Sequence, residues 1–176
     1  MPFCNELVTE RARAKEILFE YNNLHPSEME KRTEILKHFL GATGKQLLIE
    51  QPFRCDYGYN IRVGENFYAN MGCTILDEAL VTFGDNVLLA PNVSIYTAGH
   101  AVNVAQRIVG WEYAYPVTVG HNVWIGGNVV ILPGVSIGDN SIIGGGSVVT
   151  KDIPANVIAV GNPCKVIREL TEDELK

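Results

Sequence analysis

The chain has 176 residues and a mass of 19.4 kDa, with 47% hydrophobic residues, 19% charged residues and a formal net charge of −6. This apolar content excludes an intrinsically disordered chain, because such chains are poor in residues that form a core. No apolar run approaches the ~20 residues of a membrane span, and the acidic balance argues against a nucleic-acid groove. The N-terminal residues MPFCNEL lack the basic and apolar regions of a signal peptide. We therefore expect a cytoplasmic protein whose four cysteines are reduced.

The N-terminal part of the chain is rich in charge and has helical periodicity. Residues 1–40 carry 13 charged side chains. From Glu6 to Tyr21, apolar residues recur at steps of three and four, which predicts an amphipathic helix. Pro26 interrupts this pattern, and a second amphipathic helix is predicted after it. We expect residues 1–50 to form a helical segment that packs on the rest of the chain.

In the second half of the chain an aliphatic residue returns at every sixth position. This period is too short for a pair of helices and fits one short strand followed by a bend, with the aliphatic side chain in a narrow core. Three such sides close a triangular coil, and stacked coils pair through parallel hydrogen bonds. The sequence therefore predicts a β-helix over residues 51–164. The repeating positions are Val119, Ile125, Ile131, Ile137, Ile143 and Val149.

Asparagine recurs at the predicted bends of this β-helix. Its side chain tolerates the left-handed backbone conformation that tight turns require. We expect such a conformation at Asn66, Asn86, Asn92, Asn122, Asn128 and Asn140.

The six-residue period is broken at two places. Between Ile75 and Phe83 the step is eight residues, and the additional length contains Asp77 and Glu78. Residues 101–116 form a non-repeating loop that is too long for a bend, and long loops in compact domains are usually functional. Functional residues concentrate where a regular pattern is interrupted, so both breaks are candidate parts of an active site.

The repeat region contains the segments NFYAN, GDNVLLAPNVSIYTAGH, VGHNVWIGGNVVILPGVSIGDNSIIGGGSVVTKDIPANV and VGNPCKVIREL, and the helical part contains HPSEMEKR. Together they closely resemble the galactoside/maltose O-acetyltransferase family. The resemblance implies a left-handed parallel β-helix with N-terminal helices and a short C-terminal helix over residues 165–176. It also implies a homotrimer with active sites between subunits, acetyl-CoA as the donor, a sugar hydroxyl as the acceptor, and no metal.

The resemblance assigns the catalytic role to His100, which ends the motif YTAGH at the mouth of the loop. A sugar hydroxyl is almost never ionised at neutral pH, so an imidazole is expected to act as the general base during direct attack on the thioester. Glu112 resembles the position where maltose-type relatives carry glutamate and galactoside-type relatives carry methionine. Its carboxylate is interpreted as orienting the imidazole or contacting the acceptor, with a solvated loop glutamate as the alternative.

Further positions follow from the same resemblance. Asp56, Asn70 and Glu78 match acceptor-binding positions, and carboxylates and amides suit the orientation of sugar hydroxyls. The Gly127 amide matches a position near the thioester carbonyl, where it would stabilise a developing oxyanion. The positions implied to contact coenzyme A are Gly127, Gly145, Thr150, Lys151, Lys165 and Arg168.

Three other functions stay open at this point. A relative on the same scaffold could acetylate another hydroxylated small molecule, such as a streptogramin-type antibiotic. A β-helical carbonic anhydrase requires three zinc-binding histidines, but only His100 and His121 lie in the repeat. A catalytically silent trimeric scaffold is the third alternative, and the presence of His100 argues against it.

Overall fold

The computed structural model describes residues 4–176. Two N-terminal helices, α1 (Asn5–Asn23) and α2 (Met29–Phe39), precede a coil of short strands, and a third helix, α3 (Val104–Ile108), lies in the predicted loop. Over this described part of the chain, every helix is too short or too polar to cross a bilayer. The strands in chain order are β1 (Leu47–Ile49), β2 (Arg54–Cys55), β3 (Ile61–Arg62), β4 (Phe67–Ala69), β5 (Thr74–Leu76), β6 (Val81–Phe83), β7 (Leu88–Leu89), β8 (Ser94–Tyr96), β9 (Ala98–His100), β10 (Glu112–Ala114), β11 (Val117–Val119), β12 (Trp124–Ile125), β13 (Val130–Ile131), β14 (Ser136–Ile137), β15 (Ile142–Ile143), β16 (Val148–Val149), β17 (Val157–Val160) and β18 (Lys165–Glu169).

Most of these strands stack into three parallel sheets, which form the three faces of a prism. Face 1 contains β3, β6, β11 and β14; face 2 contains β1, β4, β7, β12, β15 and β17; face 3 contains β2, β5, β8, β13 and β16. The chain visits faces 2, 3 and 1 in turn, so each complete coil adds one strand to each face. The predicted parallel β-helix is confirmed, with about six turns.

The aliphatic positions of the six-residue repeat form the core of the β-helix. All six predicted positions are at most 2% exposed. Each side chain stacks on its equivalent in the next coil, as Ile125 does on Ile143. Complete burial of one such side chain contributes about 1.5–3 kcal/mol, so these columns are a major source of stability.

The N-terminal helices cover the first coil. Tyr21 of α1 and Leu36 of α2 are buried in the same core as Ile49 of β1. The Tyr21 hydroxyl donates to the Ile49 carbonyl, and Arg32 Nη2 donates to the same carbonyl at 3.0 Å. Because β1 already belongs to face 2, the β-helix begins inside the segment 1–50 that was predicted to be helical.

The prediction of a C-terminal helix over residues 165–176 is wrong. Lys165–Glu169 form β18, which pairs antiparallel with β17 and completes face 2. One side of β17 would otherwise present unpaired backbone N–H and C=O groups, and strand addition satisfies them. The β-branched Val166 and Ile167 favour this extended conformation.

Three corners join the faces of the prism. Corner I leads from face 1 to face 2, corner II from face 2 to face 3, and corner III from face 3 to face 1. The loop 101–116 is inserted at corner III, between β8 and β11. There β9 and β10 form an antiparallel hairpin, so the predicted loop contains α3 and one strand of that hairpin.

Corner I is built by a column of asparagines. Their φ angles lie between 55° and 61°, a left-handed conformation that costs most residues about 1–2 kcal/mol. Each Nδ2 donates to the Oδ1 of the asparagine in the next coil, at 2.7–2.9 Å. The predicted left-handed asparagines are confirmed at all six positions, including Asn92 and Asn128 at corner II. The corner I column consists of Asn66, Asn86, Asn122, Asn140 and Asn156.

We expect Asn122→Ala to lower the free energy of unfolding by about 2–5 kcal/mol. Alanine is strained at this φ, and two ladder hydrogen bonds are lost at about 0.5–1.5 kcal/mol each. Asn122→Gly relieves the backbone strain but loses the same two hydrogen bonds, so it is expected to lose about 1–3 kcal/mol, less than the alanine variant by the strain term. Urea denaturation at a fixed protein concentration measures both. Equal losses in the two variants would contradict a role for the left-handed backbone.

Candidate active site

Corner III collects predicted site residues from three consecutive coils. β2, β5 and β8 are neighbours in face 3 and pair in register. Asp56 follows β2, Glu78 follows β5, and β9, which ends at His100, follows β8. The eight-residue step and the long loop therefore interrupt the repeat at the same corner.

His100 and Glu112 face each other across the hairpin. They are register partners of β9 and β10, and His100 Nδ1 lies 3.5 Å from Glu112 Oε1. The His100 side chain is 61% exposed, so its ring is accessible to a substrate. In the next register pair of the hairpin, Tyr113 lies opposite Gly99. A side chain at position 99 would place its Cβ 2.5 Å from the Tyr113 hydroxyl oxygen.

A cavity of about 170 Å³ lies between this hairpin, corner III and α1. Two predicted site residues, Glu78 and Glu112, both line it, although they come from different breaks in the repeat. Sequence reasoning missed most of the other lining residues. Arg11 looks like any charge on a solvated helix face, whereas Tyr57 directly follows Asp56 and could have been noticed. The polar and aromatic lining consists of Arg11, Tyr57, Tyr59, Asn60, Glu78, Glu112 and Tyr113.

Helix α1 holds two tyrosines of this cavity. Arg11 Nη1 donates to the Tyr57 hydroxyl at 2.7 Å, and the guanidinium lies 5.8 Å from the centroid of the same ring. The Tyr59 hydroxyl donates to Glu10 Oε2 at 2.6 Å. The N-terminal helical segment is therefore a wall of the cavity as well as a cover of the core.

The carboxyl groups of Glu78 and Asp56 interact at corner III. Burial, together with a hydrogen bond to the neighbouring Asp56 carboxyl, raises the pKa of Glu78 to about 7. The Thr97 hydroxyl donates to the Leu76 carbonyl at 2.8 Å, and its oxygen lies 3.3 Å from Glu78 Oε2. Near neutral pH the Glu78 side chain is thus able to donate a hydrogen bond as well as accept one.

The other predicted residues of the early and middle coils lie at corner II. Asn70 follows β4, Gly127 follows β12, and Gly145 follows β15, all strands of face 2. A Cβ on Gly126 would lie 2.6 Å from the Gly145 nitrogen, so the coils approach closely here. The Gly127 carbonyl accepts from the Gly146 N–H at 2.8 Å, whereas its own N–H has no acceptor within residues 4–176.

A single chain therefore does not bring all the predicted residues together. Asn70 precedes β5 and Glu78 follows it, so corners II and III lie at opposite ends of the strands of face 3. Asn70 is engaged locally, because its Oδ1 accepts from the Met71 N–H at 2.8 Å. His100, Glu112, Asp56 and Glu78 form one group, and Asn70 belongs with the glycines.

The predicted basic residues lie on the last coil and on β18. Thr150 and Lys151 follow β16 at corner III, and Lys165 begins β18. The Arg168 guanidinium makes a bidentate ion pair with Glu174, with both N–O distances at 2.7 Å. This guanidinium, with the Thr171 N–H, holds the pKa of Glu174 at about 2.

No group of three or more histidine, cysteine, aspartate or glutamate side chains is arranged to hold a metal ion in the region 4–176. The expectation of a metal-free reaction stays a prediction. His121, the second histidine of the repeat, has a structural contact, because its Nδ1 accepts from the Asp85 N–H at 2.9 Å.

A prism built on a six-residue period defines a hexapeptide-repeat protein. Family models agree: the "maltose acetyltransferase hexapeptide capping motif" matches residues 1–44, and the "bacterial transferase hexapeptide (six repeats)" matches residues 116–151. The galactoside O-acetyltransferase of Escherichia coli K12 is 52% identical over 169 residues, which are 96% of this chain and 83% of the relative.

Solved structures give the same result. A galactoside acetyltransferase in complex with coenzyme A is 50% identical, with a TM-score of 0.96 over 99% of this chain and 88% of that one. A maltose O-acetyltransferase from Clostridium difficile 630 is 54% identical, with a TM-score of 0.96 over 97% of this chain and 91% of that one. The chain belongs to the galactoside/maltose O-acetyltransferase family and is an acetyltransferase.

The raised pKa of Glu78 has a consequence for stability. The folded chain binds this proton more tightly than the unfolded chain does between about pH 4.5 and pH 7. The contribution of Glu78 to stability therefore falls as the pH rises through this window. We expect Glu78→Gln to gain thermal stability relative to the wild type from pH 5 to pH 7.5. Melting curves across this range measure the difference.

Asp56→Asn is the companion variant for this measurement. It removes the carboxyl that helps to raise the pKa of Glu78, so it should reduce the wild-type pH slope without abolishing it. If the melting temperatures of Glu78→Gln and of the wild type differ by the same amount at every pH in this range, the raised pKa of Glu78 is contradicted.

Proposed function

We propose that this chain transfers an acetyl group from acetyl-CoA to a hydroxyl of a sugar or glycoside of the maltose or galactoside type, by direct transfer with His100 as the general base. One observation carries the proposal. The exposed imidazole of His100 stands beside Glu112 and next to a cavity lined by a second carboxyl group, Glu78. The relatives named above act on galactosides and maltose, and one of them is solved with coenzyme A.

His100 performs the proton transfer in this mechanism. Its ring accepts the proton of the acceptor hydroxyl while the hydroxyl oxygen bonds to the acetyl carbonyl carbon. The carbon–sulfur bond then breaks, and the imidazolium returns the proton to the departing thiolate. Because Glu112 lies beside Nδ1 of His100, Nε2 is the ring nitrogen that accepts the proton of the substrate. Glu112 orients the ring and stabilises its charged form.

Glu78 and Asp56 are proposed to bind the acceptor. A protonated Glu78 both donates and accepts, which suits a sugar hydroxyl. Tyr59 and Tyr113, which are 47% and 41% exposed, offer apolar ring surfaces for the faces of a pyranose, and Arg11 lines the same cavity.

The donor is proposed to lie along corner II and the last coils. The N–H of Gly127, which has no acceptor within residues 4–176, is suited to an oxyanion at the thioester carbonyl. Gly145 lies beside it and leaves room for the pantetheine arm. The phosphates would be bound by Thr150, Lys151, Lys165 and Arg168.

We propose that the active unit is a homotrimer in which corner II of one subunit meets corner III of the next, so that Asn70 joins the His100 group. The outward positions support this arrangement. On face 2 they are apolar along the whole prism, whereas on face 1 they are Arg62, Thr82, Thr118 and Ser136. Large apolar surfaces of this kind mark interfaces. The apolar column is Leu48, Tyr68, Leu88, Trp124, Ile142 and Ile158.

The proposed reaction needs no metal ion. The cysteines are all free thiols, which supports a reducing compartment, and we place the reaction in the cytoplasm.

We expect His100→Ala to lower kcat by two or more orders of magnitude while acetyl-CoA binding is retained, because only the proton transfer is lost. The measurement is acetyl-CoA-dependent thiol release with glucose, maltose and methyl galactosides as acceptors. His121→Asn is the matched control, since its amide oxygen replaces the Nδ1 acceptor far from corner III, and it should keep wild-type turnover. Near-wild-type turnover of His100→Ala would contradict the proposed base.

We expect Leu88→Glu to dissociate the trimer and to lower activity by at least tenfold. The side chain is 46% exposed in the single chain, so the fold should tolerate the charge, whereas an interface would not. Thr118→Glu places the same charge at the outward position of face 1 and should remain trimeric. Light scattering coupled to size exclusion measures the assembly. A trimeric, active Leu88→Glu protein would refute the proposed interface.

A further inference from the structure

Asp77 is a buried carboxylate beside the acceptor cavity, and the chemistry proposed above does not use it. Its side chain is 0% exposed. Oδ1 accepts from the backbone N–H groups of Asp56 at 3.0 Å and Tyr57 at 2.8 Å, and Oδ2 accepts from that of Gly58 at 2.8 Å. The Asp77 carbonyl also accepts from Asn60 Nδ2 at 2.8 Å. One residue thus fixes the whole turn of the preceding coil.

The residue type matters at this position. Three N–H groups point at two different oxygens, and only a carboxylate presents acceptors on both sides. Asparagine would direct its own N–H₂ towards one of these donors. Within residues 4–176 no lysine, arginine or histidine forms an ion pair with Asp77, so three amide dipoles stabilise its charge. Moving this buried charge away from its three donors would cost free energy, because no water replaces them.

The turn held by Asp77 carries one residue of the cavity lining, Tyr57, and the residue before it, Asp56. Asp56 contributes the carboxyl that bonds to Glu78, and Tyr57 lines the cavity together with Glu78. Asp77 and Glu78 are consecutive and occupy the additional length of the eight-residue step. The backbone that carries Glu78 is therefore attached, through its neighbour, to the backbone that carries Asp56.

We propose that Asp77 is a positioning residue for the acceptor, which sets the separation of the Asp56 and Glu78 carboxyl groups from two successive coils. This inference rests on the proposed function. Asp77 touches neither substrate nor His100, so it acts on acceptor binding rather than on proton transfer or donor binding. The two extra residues of the eight-residue step then have separate tasks, with Asp77 directed inward to the turn and Glu78 directed to the cavity.

The test compares Asp77→Asn with the wild type in steady-state kinetics, using maltose and methyl galactoside as acceptors. The acceptor KM is expected to rise by about tenfold, the effect of one misplaced hydrogen bond. The KM for acetyl-CoA should stay within twofold of the wild type. Asp139→Asn is the matched control, because Asp139 Oδ1 accepts from the His121 N–H at 2.7 Å at corner I, away from the cavity. It should change neither KM.

A double-mutant cycle separates positioning from general destabilisation. In an Asp56→Asn background, Asp77→Asn should raise the acceptor KM by less than half the factor seen in the wild type, because the two residues act through one contact. If Asp77→Asn raises the acceptor KM by the same factor in both backgrounds, the proposal is overturned. So would an active Asp77→Asn protein with an unchanged acceptor KM, whatever its melting temperature.

If Asp77→Asn does not fold, Asn60→Ala decides the question. It removes the second attachment of the same turn and leaves the buried carboxylate in place, so the acceptor KM should rise by two- to threefold with the acetyl-CoA KM unchanged. Because Asn60 also lines the cavity, the comparison is repeated in the Asp56→Asn background, where a positioning effect should largely disappear and a direct contact should persist. An unchanged acceptor KM would overturn the proposal. Failure of the proposed function is a separate result, since the wild type itself would then transfer no acetyl group to these acceptors.

Discussion

The stacking of aliphatic side chains at every sixth position constrains the rest of this molecule. An inward residue such as Ile125 must lie over its equivalent in the next coil, Ile143, while the backbone between them completes the parallel hydrogen bonds. Both requirements fix the length of each side of the prism. Residues can be added only where the chain turns, so chemically active side chains are confined to the corners.

The three corners have taken different roles under this constraint. Corner I is regular, and its asparagines complete one another's hydrogen bonds from coil to coil. In the later coils corner II consists mainly of small residues, such as Gly126, Gly127 and Gly145, that allow close approach of the backbone. The departures from the period lie at corner III, and two of them bring Glu78 and the His100–Glu112 hairpin to one end of face 3. Because corners II and III are separated by a strand, the residues proposed for the donor and the acceptor cannot all meet within one subunit, which is the physical basis for proposing assembly.

Much of the fold could be predicted from the sequence, because its strongest determinant is local and periodic. The spacing of Ile125, Ile131 and Ile137 defines the coil without any knowledge of long-range contacts, and the asparagines mark the turns. The C-terminal strand was missed for the opposite reason. Lys165–Glu169 is extended because β17 presents a free edge, and that edge exists only after the last coil has folded.

The same distinction applies to the candidate site. Glu78, His100 and Glu112 were identified because they lie at breaks in a regular pattern, and the family motif supported them. Arg11 was missed because a charged residue on an amphipathic helix gives no sign that it borders a cavity. The role of Asp77 also depends on tertiary structure, since its three N–H partners lie 19–21 residues earlier in the chain.

The asparagine ladder shows how such a fold can acquire new specificity. Successive members are 16, 18 and 20 residues apart, except for Asn86 and Asn122, which are 36 apart because the loop 101–116 lies between them. The hydrogen bond across this gap is 2.9 Å long, the same as its neighbours. Lengthening the chain at one corner thus leaves the other two undisturbed. A loop at corner III can therefore change in length and composition without altering the backbone geometry of corners I and II.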